Sequence, residues 1–160
     1  MEPVRWLTPT EDRAWRGYRR MWRQLDARLE RDLAGSGLSG ADYAVLSNLT
    51  ESDDDRWRAR QLAERLQWSS SRLSHQVTRM AQRGLVMRLP HPADGRGAVI
   101  ALTAKGRQAI ESAAPGHVTA VRCHFIDLLS PAQLEALDDI SQTINDHLNP
   151  VDGPASASPQ

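Results

Sequence analysis

The stretch ARQLAERLQW (Ala59–Trp68), SSSRLSHQVTRMAQR (Ser69–Arg83), Gly84, LVMRL (Leu85–Leu89), PHPADGRG (Pro90–Gly97) and AVIAL (Ala98–Leu102) decides the fold. Its first part places Leu62, Ala63 and Leu66 on one side of a short helix over about 59–66. Ser69, Ser70 and Ser71 supply N-caps for the next helix, where Leu73, Val77 and Met80 form an apolar line at steps of four and three. Gly84 stops that helix. LVMRL and AVIAL then read as strands joined through Asp94-Gly95, a good hairpin turn. Helix, turn, helix and hairpin in this order make a winged helix-turn-helix. Such a unit sets its second helix in the major groove of DNA and its hairpin alongside.

The charge distribution points the same way. The whole chain is balanced, with 20 basic and 20 acidic residues. Residues 61–107 hold eight basic residues (Arg65, Arg72, Arg79, Arg83, Arg88, Arg96, Lys105 and Arg107) against Glu64 and Asp94. Residues 108–160 hold Arg122 alone against seven acids. No acid falls between Gln67 and Ala93. A basic segment that coincides with the motif is an electrostatic footprint for phosphate.

Working outward, Trp15, Tyr18, Trp22, Leu25, Leu29 and Leu33 recur at helical steps, so a long first helix is expected over about 10–34. Ser39 with Asp42 reads as the cap of a second helix that buries Tyr43, Leu46 and Leu49. Glu51–Asp55 is a polar, solvated turn without the spacing of a calcium loop. Arg56-Trp57-Arg58 suits a short strand beside the wing. Thr103 caps a fifth helix, which Pro115-Gly116 is expected to bend or interrupt before it resumes to Leu129. Ser130-Pro131-x-Gln133 opens a last helix with Leu134, Leu137, Ile140, Ile144 and Leu148 on one face. Residues 150–160 read as a disordered tail. The fold class is therefore mainly α with a small β wing. One domain over 1–149 comprises a winged helix-turn-helix at about 38–107, flanked by helices at about 10–34 and 116–149. Those outer stripes suit burial in a symmetric dimer, which would set two reading helices about 34–36 Å apart.

The residues Leu38-Ser39, Gln61-Leu62-Ala63, the serine-rich helix start, Arg83-Gly84-Leu85-Val86, Asp94-Gly95-Arg96 and Leu102-Thr103-x-Lys105-Gly106 together resemble the MarR family of bacterial transcriptional regulators. The resemblance covers about 10–149. It implies a homodimer on a palindromic operator, often released by a small ligand or an oxidant. Repression is expected because a compact dimer with no second domain acts most simply by occupying a promoter. It also implies that Ser74 and His75 face bases. Ser69, Ser70 and the helix N-terminus suit a phosphate contact, and Ser71, Arg72, Thr78 and Arg79 share the outer face. Arg72 and Arg79 can grip phosphate or guanine. Arg96 at the wing tip reaches the minor groove or its backbone, with Asp94 holding an arginine in place. In that family the tip more commonly reads Asp-Arg-Arg, and here Gly95 replaces the middle charge.

Family effector pockets lie between the dimer helices and the winged domain. Trp15, Tyr18, Trp22, Tyr43, His117 and Arg122 are the candidates there for a small aromatic or anionic effector. The aromatics equally suit a core, and His117 suits a cap or solvent-facing group. Cys123 is the only cysteine, which excludes an intramolecular disulfide and reads as a small buried group. The histidines and Cys123 have no metal-ligand spacing, so neither metal nor cofactor is expected. No phosphate loop, nucleophile elbow or paired-carboxylate motif supports an enzyme. No apolar leader or membrane-length run occurs, and a cytoplasmic protein is expected. A non-sensing architectural DNA binder and a protein-interaction adaptor remain as alternatives.

Overall fold

A computed structural model of the chain describes residues 3–91 and 94–149, and the side chains of all of these but 91 and 94–96. The expected tail at 150–160 lies outside the described residues. Helix α1 (Pro9–Ala34) starts one residue before its expected bound, because Thr8 and Glu11 form a reciprocal cap with Pro9 in the first turn. Helix α2 (Gly40–Thr50) is capped by Ser39 and Asp42 in the same way. Then follow β1 (Arg56–Arg58), α3 (Ala59–Arg65), α4 (Ser70–Gln82), β2 (Val86–His91), β3 (Asp94–Leu102), α5 (Ala104–His124), a short 3-10 turn (Ile126–Leu128) and α6 (Pro131–Leu148). The contacts divide the chain into two compact units, with the boundary between Val121 and Arg122.

In the first unit a three-stranded antiparallel sheet runs β1-β3-β2, so the short strand at Arg56 pairs with the wing. The Trp57 indole N–H donates to the Asn48 carbonyl (2.8 Å), which pins β1 to α2. The core lies under α2, α3 and α4. Leu46, Leu49, Leu62, Met80 and Ile100 are fully buried there. The turn at 51–55 is not solvated throughout: Arg107 pairs with Asp55, whose carbonyl also accepts the Leu102 N–H (2.9 Å).

The corner between α4 and β2 is closed from both sides. Gly84 adopts φ +75°, which lets the Gly84 and Leu85 N–H groups bond back to Ala81 and Met80. The Thr103 hydroxyl faces the Gly84 and Leu85 carbonyls (2.7 and 3.0 Å) and accepts the Gly106 N–H (2.9 Å). Lys105 Nζ donates to the Arg83 carbonyl (2.8 Å) at the end of α4.

Two expectations for the C-terminal part are corrected. Of the bend or interruption expected at Pro115 and Gly116, the interruption does not occur, and helix α5 is continuous through both. Proline removes one N–H, but Ile110, Ala113 and Ala120 bury the inner face on both sides of it, and packing outweighs the lost bond. The helix also ends at His124, and the 3-10 turn replaces the segment expected to continue to Leu129. In the second unit Arg122 donates to Asp127 (2.5 Å), and Ser130 with Gln133 caps α6 behind Pro131 as expected.

Gly106 and Gly116 should respond oppositely to alanine. A Cβ at Gly106 would lie 2.0 Å from the Leu85 carbonyl oxygen, whereas one at Gly116 meets nothing within 4 Å. Gly106→Ala is expected to lose about 3 kcal/mol by overpacking, and Gly116→Ala to gain up to about 1 kcal/mol of helix propensity. Urea denaturation of both variants checks this. Equal effects would mean the α4–β2 corner has room to spare.

Candidate nucleic-acid interface

Helix α4 has an apolar and a polar face at the helical period. Leu73, Val77 and Met80 face the core, as the sequence predicts. Ser69, Ser70, Ser71, Arg72, His75, Thr78 and Arg79 are exposed, and Ser74 is half-buried. The Ser69 hydroxyl accepts the Arg72 backbone N–H (3.2 Å) and shares a bond with Ser71 Oγ (3.1 Å). Thr78 spends its hydroxyl proton on the Ser74 carbonyl (2.8 Å), which leaves its methyl and oxygen lone pairs outward. The Arg72 guanidinium sits 4.2 Å from the Trp68 ring centroid. Thus the outer face carries hydroxyls, one imidazole and two guanidiniums, with no acid among them. The side chains of Asp94 and Arg96 lie outside the described residues; both belong to β3, whose first residue pairs with His91.

What holds this face in position is a network that apolar periodicity does not reveal. Asp42 is buried, its side chain only 4% exposed. One carboxylate oxygen accepts from Ser39 N–H (2.9 Å) and Arg83 Nη1 (2.7 Å). The other accepts from Gln76 Nε2 (2.7 Å). Arg83 also donates to the Gly37 carbonyl (2.6 Å), and Gln76 Oε1 accepts from Arg79. Burial pushes the Asp42 carboxyl up, but the Ser39 N–H, the Arg83 guanidinium and the Ser39 hydroxyl together hold it below the usual range. The α1–α2 corner is thereby tied to the inner side of the reading helix. Asp42 and Gln76 had one sequence signal. Each sits at the third step of a buried stripe, Asp42 with Val45, Leu46 and Leu49, and Gln76 with Leu73, Val77 and Met80.

Beside α4 a cavity of about 220 Å³ is lined by Ala59, Arg60, Ser70, Leu73, Ser74, Val77, Arg88 and Ile100. The six residues expected around an effector fall into separate groups. Trp15 and Tyr18 stack at 6.0 Å and are exposed with Trp22, which corrects the expectation that these aromatics fill a core. Tyr43 and His117 pack ring to ring at 4.2 Å. Arg122 belongs to the second unit and is paired with Asp127. His117 is no solvent-facing cap: its Nδ1 is buried and has no hydrogen-bond partner among the described residues. Cys123 is exposed and free, against the expectation of a buried thiol. Among the described residues no cluster of three metal-ligating side chains occurs, and no helix is long and apolar enough to cross a membrane.

The sequence model of the MarR family matches residues 36–97, which span α2 through the wing. The fold superposes on AbsC, a MarR family transcriptional regulator from Streptomyces coelicolor, with a TM-score of 0.87 and 46% identity, covering 91% of this chain and 99% of that one. A second MarR family transcriptional regulator from Streptomyces coelicolor, solved in complex with DNA, matches with a TM-score of 0.87 and 35% identity over 98% of this chain and 97% of that one. BpsR from Bordetella bronchiseptica shares the fold at a TM-score of 0.74 and 21% identity, over 84% of this chain and 99% of that one. No protein of curated function matches the chain.

Two measurements test the framework of the interface. Asp42→Asn keeps the shape but removes the charge from Arg83, and should cost about 1–3 kcal/mol in urea unfolding. An unchanged midpoint would remove Asp42 from the framework. Burial pushes the His117 imidazole below its usual value. The folded state therefore resists a proton that the unfolded chain accepts below about pH 6.5. The His117 contribution is present above that pH and is lost as pH falls further. His117→Phe should flatten the fall in stability between about pH 7 and 5 relative to the parent. Identical slopes in the two proteins would exclude a desolvated His117.

Proposed function

Because the chain belongs to the MarR family of DNA-binding transcriptional regulators, and is no enzyme, we propose that it acts as a homodimeric repressor of a palindromic operator. The acid-free outer face of α4 carries this reading. Ser74 and His75 are the proposed base readers, Ser69 and Ser70 the backbone contacts, Arg72 and Arg79 grip phosphate or guanine, and Ser71 and Thr78 complete the surface. Ser and His can both meet base-edge acceptors in the major groove. Asp94 and Arg96 are assigned to the wing tip, with Arg96 on the minor groove or its backbone.

Dimerisation is supported by apolar surface that a lone chain leaves in water. Trp15, Tyr18, Met21 and Trp22 of α1 and Ile140, Ile144 and Leu148 of α6 are exposed. Large exposed apolar side chains at helical spacing mark an interaction face. Helices at about 10–34 and 116–149 are thus the proposed dimerisation elements, and 38–107 the DNA-binding element. A symmetric pair would present two α4 helices to successive major grooves. A small aromatic or anionic effector is proposed to release the operator, with Trp15, Tyr18, Trp22, Tyr43, His117 and Arg122 as candidate contacts. The working compartment is the cytoplasm.

The test is selection of duplexes from a random library by the purified protein, followed by affinity measurements on the best duplex across a salt series. A palindromic motif bound by two chains, with log affinity falling linearly in log salt, is the expected result. Arg96→Ala should weaken all sequences alike and lower the salt slope by about one. A library without an enriched sequence would point to an architectural binder or a protein adaptor. Full affinity in Arg96→Ala would remove the wing tip from the interface.

A further inference from the structure

The exposed arginines of α4 differ in how their donors are engaged. Arg79 donates to Gln76, and Arg83, just past the helix, donates to Asp42 and Gly37. Arg65 on α3 stacks over Trp57 at 4.7 Å but is also bonded to Asn48 and Glu51. Arg72 alone among these four lies over a ring (4.2 Å to the Trp68 centroid) without giving any guanidinium hydrogen bond among the described residues. Its five N–H donors therefore have no protein acceptor there.

The platform under Arg72 is itself fixed. Trp68 is half-buried and packs against the core. Its backbone N–H donates to the Ala63 carbonyl (2.9 Å), which closes the end of α3. Gln67 before it takes φ +53°, the left-handed conformation that this helix end requires. Trp68 and Arg72 are four residues apart, and Ser69 between them caps α4. Thus the turn of the motif, and not the surface, determines where the Arg72 guanidinium lies. A side chain ordered before contact loses less rotamer freedom on binding.

We infer that Trp68 is a positioning residue that holds Arg72, with its donor edge free, to grip a pair of acceptors on DNA. This rests on α4 being the reading helix. The shared chemistry is two acceptor atoms in one plane, offered by a phosphate or by the O6 and N7 edge of guanine. Arg72, and not Arg79, then makes the principal guanidinium contact of the helix.

The experiment is a double-mutant cycle on the best library-selected duplex, with each variant checked for native circular dichroism. Arg72→Ala should weaken binding about thirtyfold and Trp68→Leu about tenfold. In the Trp68→Leu background, Arg72→Ala should cost no more than about threefold further. Additive losses overturn the inference while leaving the regulator reading intact. Failure of the parent protein to select any duplex overturns both. Arg72→Lys, an exposed change independent of whether Trp68→Leu folds, keeps the charge but not the plane. It should lose nearly as much as Arg72→Ala, and full affinity in that variant overturns the inference. In the free protein the Arg72 Nε–H resonance should show a ring-current shift that Trp68→Phe keeps and Trp68→Leu abolishes. A missing shift in the parent overturns it too. Replacing half-site guanines by 7-deazaguanine separates the sources. A loss shared with Arg72→Ala assigns guanine, and an unshared one, with a salt slope lower by about one, assigns phosphate.

Discussion

One buried carboxylate sets the geometry on which the reading face depends. Removing Asp42 from water is unfavourable unless its oxygens are filled, and they are filled by groups from three places: the cap of α2, the inner face of α4 and the arginine that ends α4. An apolar contact in the same position would tolerate sliding and rotation, because it is not directional. Hydrogen bonds to a charge are directional and short. The carboxylate therefore fixes the rotation of α4 about its axis, and with it which residues face outward. His75, Thr78 and Arg79 owe their exposure to the opposite side of their own helix.

The remaining constraints act on the ends of that helix. At the start, Ser69 caps it and Trp68 ties the turn to the core. At the finish, Gly84 reverses the chain, and Thr103 and Lys105 hold the corner against the start of α5. Between these ends the apolar line of Leu73, Val77 and Met80 supplies burial but little position. The result is a short rigid rod whose polar face carries no negative charge, set in a chain whose segment after residue 108 holds seven acids against one arginine. Long-range attraction to phosphate and local readout are thus supplied by the same segment.

Much of this was legible in the residues, and the parts that were not have physical causes. The caps at Ser39, Ser69 and Ser130 could be read because a cap is a local pattern of three or four residues. The stripes of α4 and α2 could be read because burial follows the helical period. Asp42 was read as a cap only, and its pairing with Gln76 escaped because a reading by apolar residues skips polar ones in the buried phase and the pair spans two helices. Pro115 was expected to bend or interrupt α5, but the helix is continuous, because a local rule yields where both flanks are packed. The ring contact that buries His117 escaped because its partner Tyr43 is on another helix, with no signal for the pairing in either neighbourhood. The outer stripes of α1 and α6 were visible, but a pattern states which side is apolar and not what covers it. The contrast between Arg72 and Arg79 was invisible, since both are arginines on one face and differ only in what lies beneath them.

The chain has nineteen arginines and a single lysine, Lys105, whose ammonium rests on the last carbonyl turn of α4. Arginine side chains do not react with amine-directed reagents under ordinary conditions, because guanidinium stays protonated. Acylating chemistry therefore meets one side-chain amine, located where the reading helix ends. Neutralising that amine removes a cation from the negative end of the helix dipole. A reaction that would blur over the surface of most proteins becomes, in this one, a single-point report on whether the corner beneath the wing is closed.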